Sequence, residues 1–563
     1  FMWAHTSRHL LIIQDNKGDE AWQLLVYDIV AQTCVNATPF PNARVQEVKV
    51  SAAKPTTALI ILNKEDAALY DVYRLDLLTL NLTLIERNPG DVKTWYADKN
   101  LRIRAKVTYD ANCAFHLHTR PTLYDSWQHQ HTWDAESTFT SGIINSPTSN
   151  SIHFSDDGRY LYITDSSDTE TSTLLKLDTQ TGTRTPILRD ETYDVRTAPG
   201  LHDLILKNIP LESTIRSEAN DIAAISYYRD RLKWRFFEES TEAQFACWQK
   251  DTTTDWWIAQ ALPDNCFIVG NCADTQPPRY YHFNASTGER HLMCDSRPTL
   301  HDYRLAETKP IVFTSRDGLP VHGYLTMPVG VERAPLLLKI HGGPWARDIW
   351  TFNPDIQMLA NRGYGVLQIN YRGSTGYGKH FVNSGNREWG KKMLDDLEDG
   401  YRWILDQKLS WEGRVGIMGR SYGGYAALSA LTLRPDLFAC GIAEVPPTHI
   451  PTLIESMPSY WRAFFNNIHH RIGHPEKQRE TLEKYSPALH VPNIKAPVLL
   501  THGLNDVRVA VQQTEMMLKA LKEHNKDFTF MLFEDEGHKS TKPGNIIRYM
   551  RAVERFLAKN MPV

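Results

Sequence analysis

Short runs of alternating hydrophobic and polar residues, separated by polar turns, fill roughly the first 300 residues of the chain. A loose unit recurs in this part: an alternating strand, a polar turn, a second strand, then an aspartate-bearing strand and a threonine- or glycine-rich turn. The clearest copies lie in residues 9–29, 57–86 and 151–188, and residues 280–293 close the last copy. About six copies with a period of roughly 40 to 50 residues predict the blades of an all-β propeller. A β-sandwich is the alternative, but the repeat runs too long for one sandwich.

The pattern changes in the second part of the chain to apolar strands that alternate with amphipathic helices. Strands are predicted at 336–340, 365–370, 415–418, 498–501 and 528–533, and helices near 355–362, 393–407, 422–433, 511–524 and 546–560. Such alternation predicts a doubly wound, mostly parallel sheet that helices cover on both faces. The change falls in "SRPTLHDYRLAETKP", so we expect a propeller over 1–305 and an α/β domain over 306–563. Because residue 1 lies in what reads as a strand, we expect that an N-terminal blade segment is missing, and a seventh blade stays open.

Composition narrows the classes of function. Lys and Arg total 62 against 66 Asp and Glu, a net charge of −4, and this near-balance argues against a nucleic-acid binder. The apolar runs are far shorter than the roughly 18 residues that a membrane span needs. The seven cysteines are scattered without a Cys-x-x-Cys pair, which favours a reducing compartment. We therefore expect a cytoplasmic protein, while a periplasmic location stays open.

The motif "GRSYGG" places Ser421 between the predicted strand 415–418 and the predicted helix 422–433. A Gly-x-Ser-x-Gly sequence in this context is typical of a nucleophile elbow, a strained turn that exposes a serine hydroxyl. Side chains at the flanking positions would collide in such a turn, which explains the glycines at 419 and 423. We therefore predict that Ser421 is a catalytic nucleophile rather than a turn residue.

A serine nucleophile needs a base, and the base needs an acid that orients it. In α/β-hydrolases the order along the chain is Ser, Asp or Glu, His. Asp506 follows the strand of "APVLLTHGLNDVRV", and His538 follows the strand of "FTFMLFEDEGHKS". Both side chains should emerge at the carboxyl edge of the sheet. Three rivals fit less well, since two lie too near His538 in the chain and one breaks the order: Asp535, Glu536 and His502.

The negatively charged tetrahedral intermediate needs hydrogen-bond donors. A predicted strand ends at "HGGP", residues 341–344, a glycine loop whose backbone N–H groups can approach an oxyanion. We predict that the N–H groups of Gly343 and Tyr422 form this oxyanion hole.

Taken together, "HGGPWARD", "INYRGSTGYGKHF", "GNREWG", "GRSYGGYAAL", "LLTHGLNDVRV" and "DEGH" resemble the prolyl oligopeptidase family of serine peptidases, closest to its acylaminoacyl-peptidase-like branch. The resemblance implies an α/β-hydrolase fold with an N-terminal β-propeller cap that admits only short peptides. It implies that Ser421, Asp506 and His538 form the triad and that no cofactor is needed. It also places Arg508 where the family binds a backbone carbonyl of the substrate near the scissile bond.

The chain departs from this family at two points. The prolyl oligopeptidase and dipeptidyl-peptidase-four branches use a tyrosine hydroxyl in the oxyanion hole, where this chain has the 341–343 glycine loop. This difference weakens an inference of strict proline specificity. After His538 the chain reads "KSTKP", where relatives usually continue with a glycine and an aromatic residue. The shape of that loop is therefore not predictable from the family.

Several alternatives for substrate and function stay open. Glu238 and Glu239 could bind a free substrate amine and make the protein a dipeptidyl peptidase, although they fit a blade strand followed by a solvated turn. The same triad could serve a carboxylesterase. A remoter alternative is a non-catalytic propeller scaffold. The aromatic residues of "SYWRAFF", 459–465, could line an apolar subsite or simply pack in a core.

Two other motifs predict no ligand. Residues 373–379 match the first seven positions of a phosphate-binding loop, but His380 stands where Ser or Thr would ligate Mg²⁺. A cluster of His116, His118 and either His129 or His131 lacks a carboxylate or cysteine at ligand spacing, so we predict no metal. The expected partners are short peptide substrates, and homo-oligomer formation stays open.

Overall fold

The computed structural model describes residues 1–143, 152–195, 214–215 and 222–563. In this part of the chain, six small antiparallel sheets precede residue 296, and strands that follow one another in sequence pair in each of them. They are β1–β4 (Met2–Trp3, His9–Gln14, Gln23–Asp28, Thr33–Asn36), β5–β8 (Val45–Val50, Thr57–Asp66, Leu69–Asp76, Leu82–Glu86), β9–β12 (Val92–Ala97, Ile103–Tyr109, Phe115–Thr119, Gln128–Trp133), β13–β16 (Ile152–Phe154, Tyr160–Asp165, Thr173–Asp178, Arg184–Arg189), β17–β19 (Thr214–Ile215, Ala224–Tyr228, Leu232–Phe236) and β20–β23 (Asp255–Leu262, Cys266–Ala273, Gln276–Asn284, Arg290–Asp295).

Strand β6 shows why these sheets cannot stand alone. Its side chains alternate between two hydrophobic clusters: Ile60 and Leu62 pack with residues of the first sheet, and Leu59 and Ile61 pack with Trp95 of the third. Since successive side chains of a strand point to opposite faces, a strand that is apolar on both faces must be covered on both. Such stacking of sheets on sheets is how a propeller buries its blades, and the predicted β-propeller is confirmed.

Two short helices interrupt the all-β part, which the sequence pattern did not predict. α1 (Glu239–Gln244) and α2 (Ala246–Gln249) lie between β19 and β20. Phe245 and Trp248 from this segment are buried in a cluster with Trp256 and Phe283 of the following strands. Aromatic burial therefore outweighs the turn signals of the local sequence.

The second part of the chain forms one eight-stranded sheet in the order β24-β25-β27-β26-β28-β29-β30-β31. Its strands are β24 (Thr308–Thr314), β25 (Pro320–Thr326), β26 (Leu336–Ile340), β27 (Gly365–Asn370), β28 (Val415–Arg420), β29 (Gly441–Glu444), β30 (Val498–Gly503) and β31 (Phe528–Phe533). Strand β25 runs antiparallel to both of its neighbours, β24 and β27, and the six strands from β26 to β31 are parallel to one another. The predicted doubly wound, mostly parallel sheet of an α/β-hydrolase fold is confirmed.

Nine α-helices and four 3₁₀ turns accompany this sheet in the described chain after residue 295. The helices are α3 (Pro354–Asn361), α4 (Gly378–Asn383), α5 (Lys392–Asp406), α6 (Tyr422–Leu433), α7 (Ile450–Glu455), α8 (Phe465–Arg471), α9 (Arg479–Lys484), α10 (Gln512–Glu523) and α11 (Pro543–Asn560), and the 3₁₀ turns are Pro298–Asp302, Ser459–Phe464, Pro487–Leu489 and Val491–Asn493. None of the helices in the described part of the chain combines the length and apolarity that a membrane crossing requires.

The sheet is apolar on both faces, as parallel strands require. On one face, Leu337, Met418 and Leu499 pack against residues of α3 and α11 such as Leu359 and Val553. The helix after Ser421, α6, is buried along almost its whole length.

The chain divides into two compact units. The first unit comprises residues 1–210, 377–380 and 457–473, and the second comprises 211–376, 381–456 and 474–563. Two short segments from the α/β half of the sequence thus belong to the first unit. The predicted boundary between residues 305 and 306 stays a prediction.

Side-chain contacts tie the 457–473 segment into the first unit. The Arg44 guanidinium lies 4.4 Å from the ring centre of Tyr460, and the Lys93 ammonium lies 4.9 Å from that of Phe464. Arg471, which is fully buried, donates to the carbonyl of Ala135. Two of the aromatic residues in "SYWRAFF" therefore pack within this unit.

Candidate active site

Ser421 lies in a strained turn between β28 and α6. Its backbone has φ = 59° and ψ = −123°, in the region with positive φ that side chains other than glycine rarely adopt. The Ser421 N–H donates to the carbonyl of Glu444 on the neighbouring strand, at 2.9 Å. This conformation and its strand-to-helix context are those of a nucleophile elbow.

Glycines make this turn sterically feasible. A Cβ added at Gly423 would lie 2.1 Å from the carbonyl oxygen of Ile340, and one added at Gly419 would lie 2.5 Å from the Gly423 backbone. Both distances are far shorter than van der Waals contact, and backbone atoms cannot move away cheaply. The local sequence therefore has glycine at these two positions because the backbones of β26, β28 and α6 meet here.

Asp506 and His538 lie in two loops at the carboxyl edge of the sheet. The Asp506 loop, residues 504–511, follows β30, and the His538 loop, residues 534–542, follows β31. The Nδ1 atom of His538 lies 2.7 Å from Oδ2 of Asp506. The other carboxylate oxygen accepts the backbone N–H groups of Arg508 at 2.8 Å and Val509 at 3.0 Å.

The environment of Asp506 keeps its carboxylate charged. Burial alone would raise the pKa of Asp506, but the charge and hydrogen bond of His538, together with the Val509 N–H, lower it below the ordinary value. An ionised Asp506 makes Nδ1 of His538 the donor, so that Nε2 is free to accept a proton.

Ser421 and His538 are brought to the same region, but the structure does not pair their side chains. Arg420, which precedes Ser421, lines one small cavity together with Glu444, His502 and His538. Among the described residues His538 hydrogen-bonds to Asp506 and not to the Ser421 hydroxyl. In unliganded enzymes this bond is often long and tightens only when substrate binds.

The three rivals for the acid and base positions have other contacts. His502 is fully buried, with Nδ1 2.8 Å from the Thr514 hydroxyl and Nε2 2.9 Å from the Val509 carbonyl. Burial lowers the pKa of His502, so this ring is neutral. Asp535 pairs with Lys542, and the Glu536 carboxylate accepts the backbone N–H of Lys542, just before α11.

The predicted oxyanion loop lies against Ser421. A Cβ added at Gly342 would lie 3.3 Å from the Ser421 Cβ, and Gly343 has φ = 129°, which favours glycine. The ring of His341 stacks on Tyr371 at 4.4 Å between ring centres, and the Tyr371 hydroxyl donates to the His341 carbonyl at 2.9 Å. Burial lowers the pKa of His341, so a neutral ring anchors the loop.

Tyr422 is the first residue of α6, where backbone N–H groups have no partner within the helix. Its ring is buried beside Trp389, Tyr371 and Tyr425, at 4.7, 5.2 and 5.6 Å between ring centres. The ring packing anchors the first turn of α6, which follows Ser421 directly.

Sequence reasoning missed a charged network next to Ser421. Arg420 forms an ion pair with Glu444 at 2.9 Å, and the Tyr549 hydroxyl donates to Glu444 at 2.6 Å. Since the same Glu444 accepts the Ser421 N–H through its carbonyl, this network holds the elbow from the neighbouring strand. Arg420 lies on β28, Glu444 on β29 and Tyr549 on α11, so no local sequence pattern indicates that they interact.

The remaining predicted residues are placed as follows. Arg508 is exposed in the Asp506 loop. Glu238 and Glu239 do not lie in a blade strand, because β19 ends at Phe236; they begin α1, with Glu239 exposed.

The motif at 373–379 does not have free backbone donors. The N–H groups of Gly378, Lys379 and His380 donate to Asp194 and Glu170 of the same unit, at 3.4, 2.8 and 2.6 Å. His116, His118 and His129 do form a cluster, with ring centres 5.6 to 6.5 Å apart. In the described ranges, however, no group of three or more His, Cys, Asp or Glu side chains is arranged to hold a metal ion.

A strained serine in a strand-to-helix turn and an Asp–His pair at the carboxyl edge of the same sheet are typical of serine hydrolases of the α/β-hydrolase fold. A family model described as the prolyl oligopeptidase family matches residues 350–562. Dipeptidyl aminopeptidase BIII of Pseudoxanthomonas mexicana is 33% identical, with 99% of this chain and 79% of that relative covered. The chain therefore belongs to the prolyl oligopeptidase family, as its motifs predicted, and it is a serine peptidase.

Solved structures agree on the fold. A puromycin-hydrolyzing peptidase of Mycobacterium tuberculosis has a TM-score of 0.77 at 17% identity, with 98% of this chain and 86% of that chain covered. An acylaminoacyl peptidase of Pyrococcus horikoshii has a TM-score of 0.68 at 18% identity, with 99% of this chain and 88% of that chain covered. At this level of identity the likeness concerns the architecture alone.

Proposed function

We propose that the protein cleaves short peptides through an acyl-enzyme in which Ser421 is the nucleophile. In this mechanism His538 takes the Ser421 proton on Nε2 while Oγ attacks the scissile carbonyl carbon, and Asp506 holds the imidazole in the required tautomer. The observation that carries the proposal is the 2.7 Å bond from His538 to Asp506, at the edge of the sheet where the strained Ser421 lies.

The intermediate and its collapse use the groups around Ser421. The N–H groups of Gly343 and Tyr422 would stabilise the oxyanion, and Arg508 would bind a carbonyl of the substrate. His538 would then return its proton to the leaving amine, so that the first product departs and the acyl group stays on Ser421. Water, activated by the same imidazole, would release the second product.

Two kinds of N-terminal substrate compete within this proposal. The motifs favour a blocked, acylated amino acid, whereas the relative of 33% identity is named a dipeptidyl aminopeptidase and favours a free dipeptide end. Glu239, exposed at the start of α1, is the acidic group that could bind a free amine. We put dipeptide release first because that relative covers nearly the whole chain. A carboxylesterase activity from the same triad is the second candidate.

The test is turnover of four substrates: a blocked acyl-amino-acid amide, a free dipeptide amide, a blocked proline peptide and a short-chain ester. Ser421→Ala should abolish all turnover, at least about 10⁴-fold, while Ser286→Ala in an exposed turn should change nothing. Preference for the dipeptide amide, reduced by Glu239→Gln, would support dipeptide release. Turnover of the ester alone would contradict the proposal that peptides are the substrates. Activity in Ser421→Ala would contradict the proposal that Ser421 is the nucleophile.

We propose a cytoplasmic location, and the cysteines support it. All seven are unpaired thiols, four of them exposed or partly exposed, which fits a reducing, cytoplasmic environment. Thiol alkylation of freshly lysed cells should therefore modify the exposed cysteines without prior reduction.

A further inference from the structure

The His538 loop is closed by one buried carboxylate. Glu536, two residues before His538, is 1% exposed. Its Oε2 accepts the Thr541 N–H and the Thr541 hydroxyl, both at 3.0 Å. Its Oε1 accepts the Lys542 N–H and the Asn545 side-chain amide, both at 2.9 Å.

These four donors come from the far end of the same loop and from the start of α11. The Glu536 carboxylate therefore joins the residues before His538 to those after it and closes the loop into a ring. A buried carboxylate is stable only with such donors, and here all four are neutral groups that need a pure acceptor. Glutamine would present an NH₂ group to two of them.

The backbone of Glu536 also holds the neighbouring Asp506 loop. Its carbonyl accepts the Asn505 N–H at 3.0 Å. A Cβ added at Gly503 would lie 2.7 Å from that carbonyl oxygen and 2.1 Å from the carbonyl oxygen of Gly537. The two loops thus touch along their backbones, and the side chain of Glu536 fixes one of them while its carbonyl contacts the other.

We propose that Glu536 is a positioning residue that holds His538 at bonding distance from Asp506. The inference rests on the proposed triad. Three of the four donors belong to Thr541 and Lys542, which follow His538 in the chain. Hydrogen-bond donors that follow His538 in the chain thus bind a carboxylate that precedes it, and this closure shapes the His538 loop.

The first test compares two adjacent carboxylates. Glu536→Gln should lower kcat about 10- to 100-fold, since displacing a catalytic group by about 1 Å costs that much, with KM changed less than about threefold. Asp535 forms an exposed ion pair with Lys542 and accepts the Asn545 side-chain amide at 2.9 Å. Asp535→Asn removes the charge of that pair but keeps an oxygen that can accept from Asn545, so kcat should stay within about twofold of wild type. The rate of inactivation by a small fluorophosphonate, which needs His538 but no peptide binding, should fall in parallel with kcat.

A second pair of variants applies even where Glu536→Gln fails to fold. Thr541 is exposed, so its replacement does not open the core. Thr541→Val removes one donor and should lower kcat about three- to tenfold, and Thr541→Ser, which retains the hydroxyl, should restore it. Equal kcat in these two variants, or an effect of Glu536→Gln on KM alone, would overturn the inference.

His538→Ala separates this inference from the proposed triad. Residual activity in His538→Ala would show that the triad assignment itself is wrong. An inactive His538→Ala together with a Glu536→Gln variant as active as Asp535→Asn would leave the triad intact and reject the positioning role alone.

Discussion

Asp506 is the residue on which the contacts of both edge loops converge. One carboxylate oxygen bonds His538 and the other accepts two backbone N–H groups of its own loop. The Nε2–H of His502 lies 3.7 Å from Asp506 but donates to the Val509 carbonyl, so this ring supports the loop rather than sharing the charge. The carboxylate is therefore fixed in position and in charge.

We expect Asp506→Asn to lower kcat about 10³- to 10⁴-fold, because asparagine no longer selects the tautomer that leaves Nε2 free. The effect on KM should be small, and steady-state kinetics on the best substrate measures both. Asp535→Asn, with a carboxylate in the adjacent loop, is the matched control. A loss smaller than tenfold would contradict the role of Asp506.

At the residue scale, sequence analysis identifies functional residues that lie in a contiguous motif and misses interactions between residues far apart in the chain. Ser421 stands out because its glycines and flanking elements are contiguous in the chain. Glu444 and Tyr549, by contrast, meet across 105 residues, and neither belongs to a recognisable motif. The closure of the His538 loop by Glu536 was missed for a different reason: the residue was weighed only as a rival acid.

At the scale of elements, the junction of β26, β28 and α6 sets the geometry of the site. The strand and the helix approach so closely that the backbone of Ile340 occupies the space a side chain at Gly423 would need. The amino end of α6 is thereby held against the end of the central strand. Catalytic geometry here depends on backbone contact rather than on side-chain packing.

Gly423→Ala should therefore destabilise the protein by at least about 3 kcal/mol and abolish activity, because a carbonyl at 2.1 Å cannot move aside. Gly544→Ala, in the first turn of α11 with open space around its Cβ, should be neutral or stabilising by about 0.5–1 kcal/mol. Urea unfolding of both variants measures the difference. Equal stabilities would refute the backbone-contact argument.

Of the five strands predicted in the second part of the chain, 415–418 and 498–501 each end two residues short of the observed strand. The predicted strands 336–340, 365–370 and 528–533 coincide with the observed bounds. Strand β29 was missed because it has only four residues and ends in a glutamate. The antiparallel pair β24–β25 was missed because its alternation continues the pattern of the all-β part.

At the scale of the whole molecule, arginine–carboxylate networks link distant parts of the α/β half. Glu398 of α5 accepts from Arg402 at 2.6 Å and Arg434 at 2.9 Å and pairs with Arg316 at 3.2 Å. Burial would raise the pKa of Glu398, but these hydrogen bonds outweigh it and lower the pKa to about 2. The stabilisation this gives is complete above the unfolded-state pKa near 4.3 and is lost as the pH falls toward 2.

We therefore expect the stability difference between wild type and Glu398→Gln to shrink by about 2 kcal/mol between pH 6 and pH 2. Unfolding midpoints measured across this range, with the exposed Glu412→Gln as control, test the sign and the size. A difference that stays constant with pH would contradict the network.

The whole-molecule organisation was only partly readable from the sequence. The two kinds of pattern, all-β and alternating, follow from periodicity. The return of residues 377–380 and 457–473 to the first unit does not, because it depends on contacts such as that of Arg471 with Ala135, 336 residues away.

That return limits how evolution and protein engineers can exchange parts of this molecule. The first unit, transplanted as residues 1–210 alone, would arrive without its two other segments, and Arg44 and Lys93 would lack the rings of Tyr460 and Phe464. A functional chimera must carry three separate stretches of sequence, each spliced at its own point. The three segments of the first unit are separate in the sequence but pack together, so substitutions in one of them have to remain compatible with the other two.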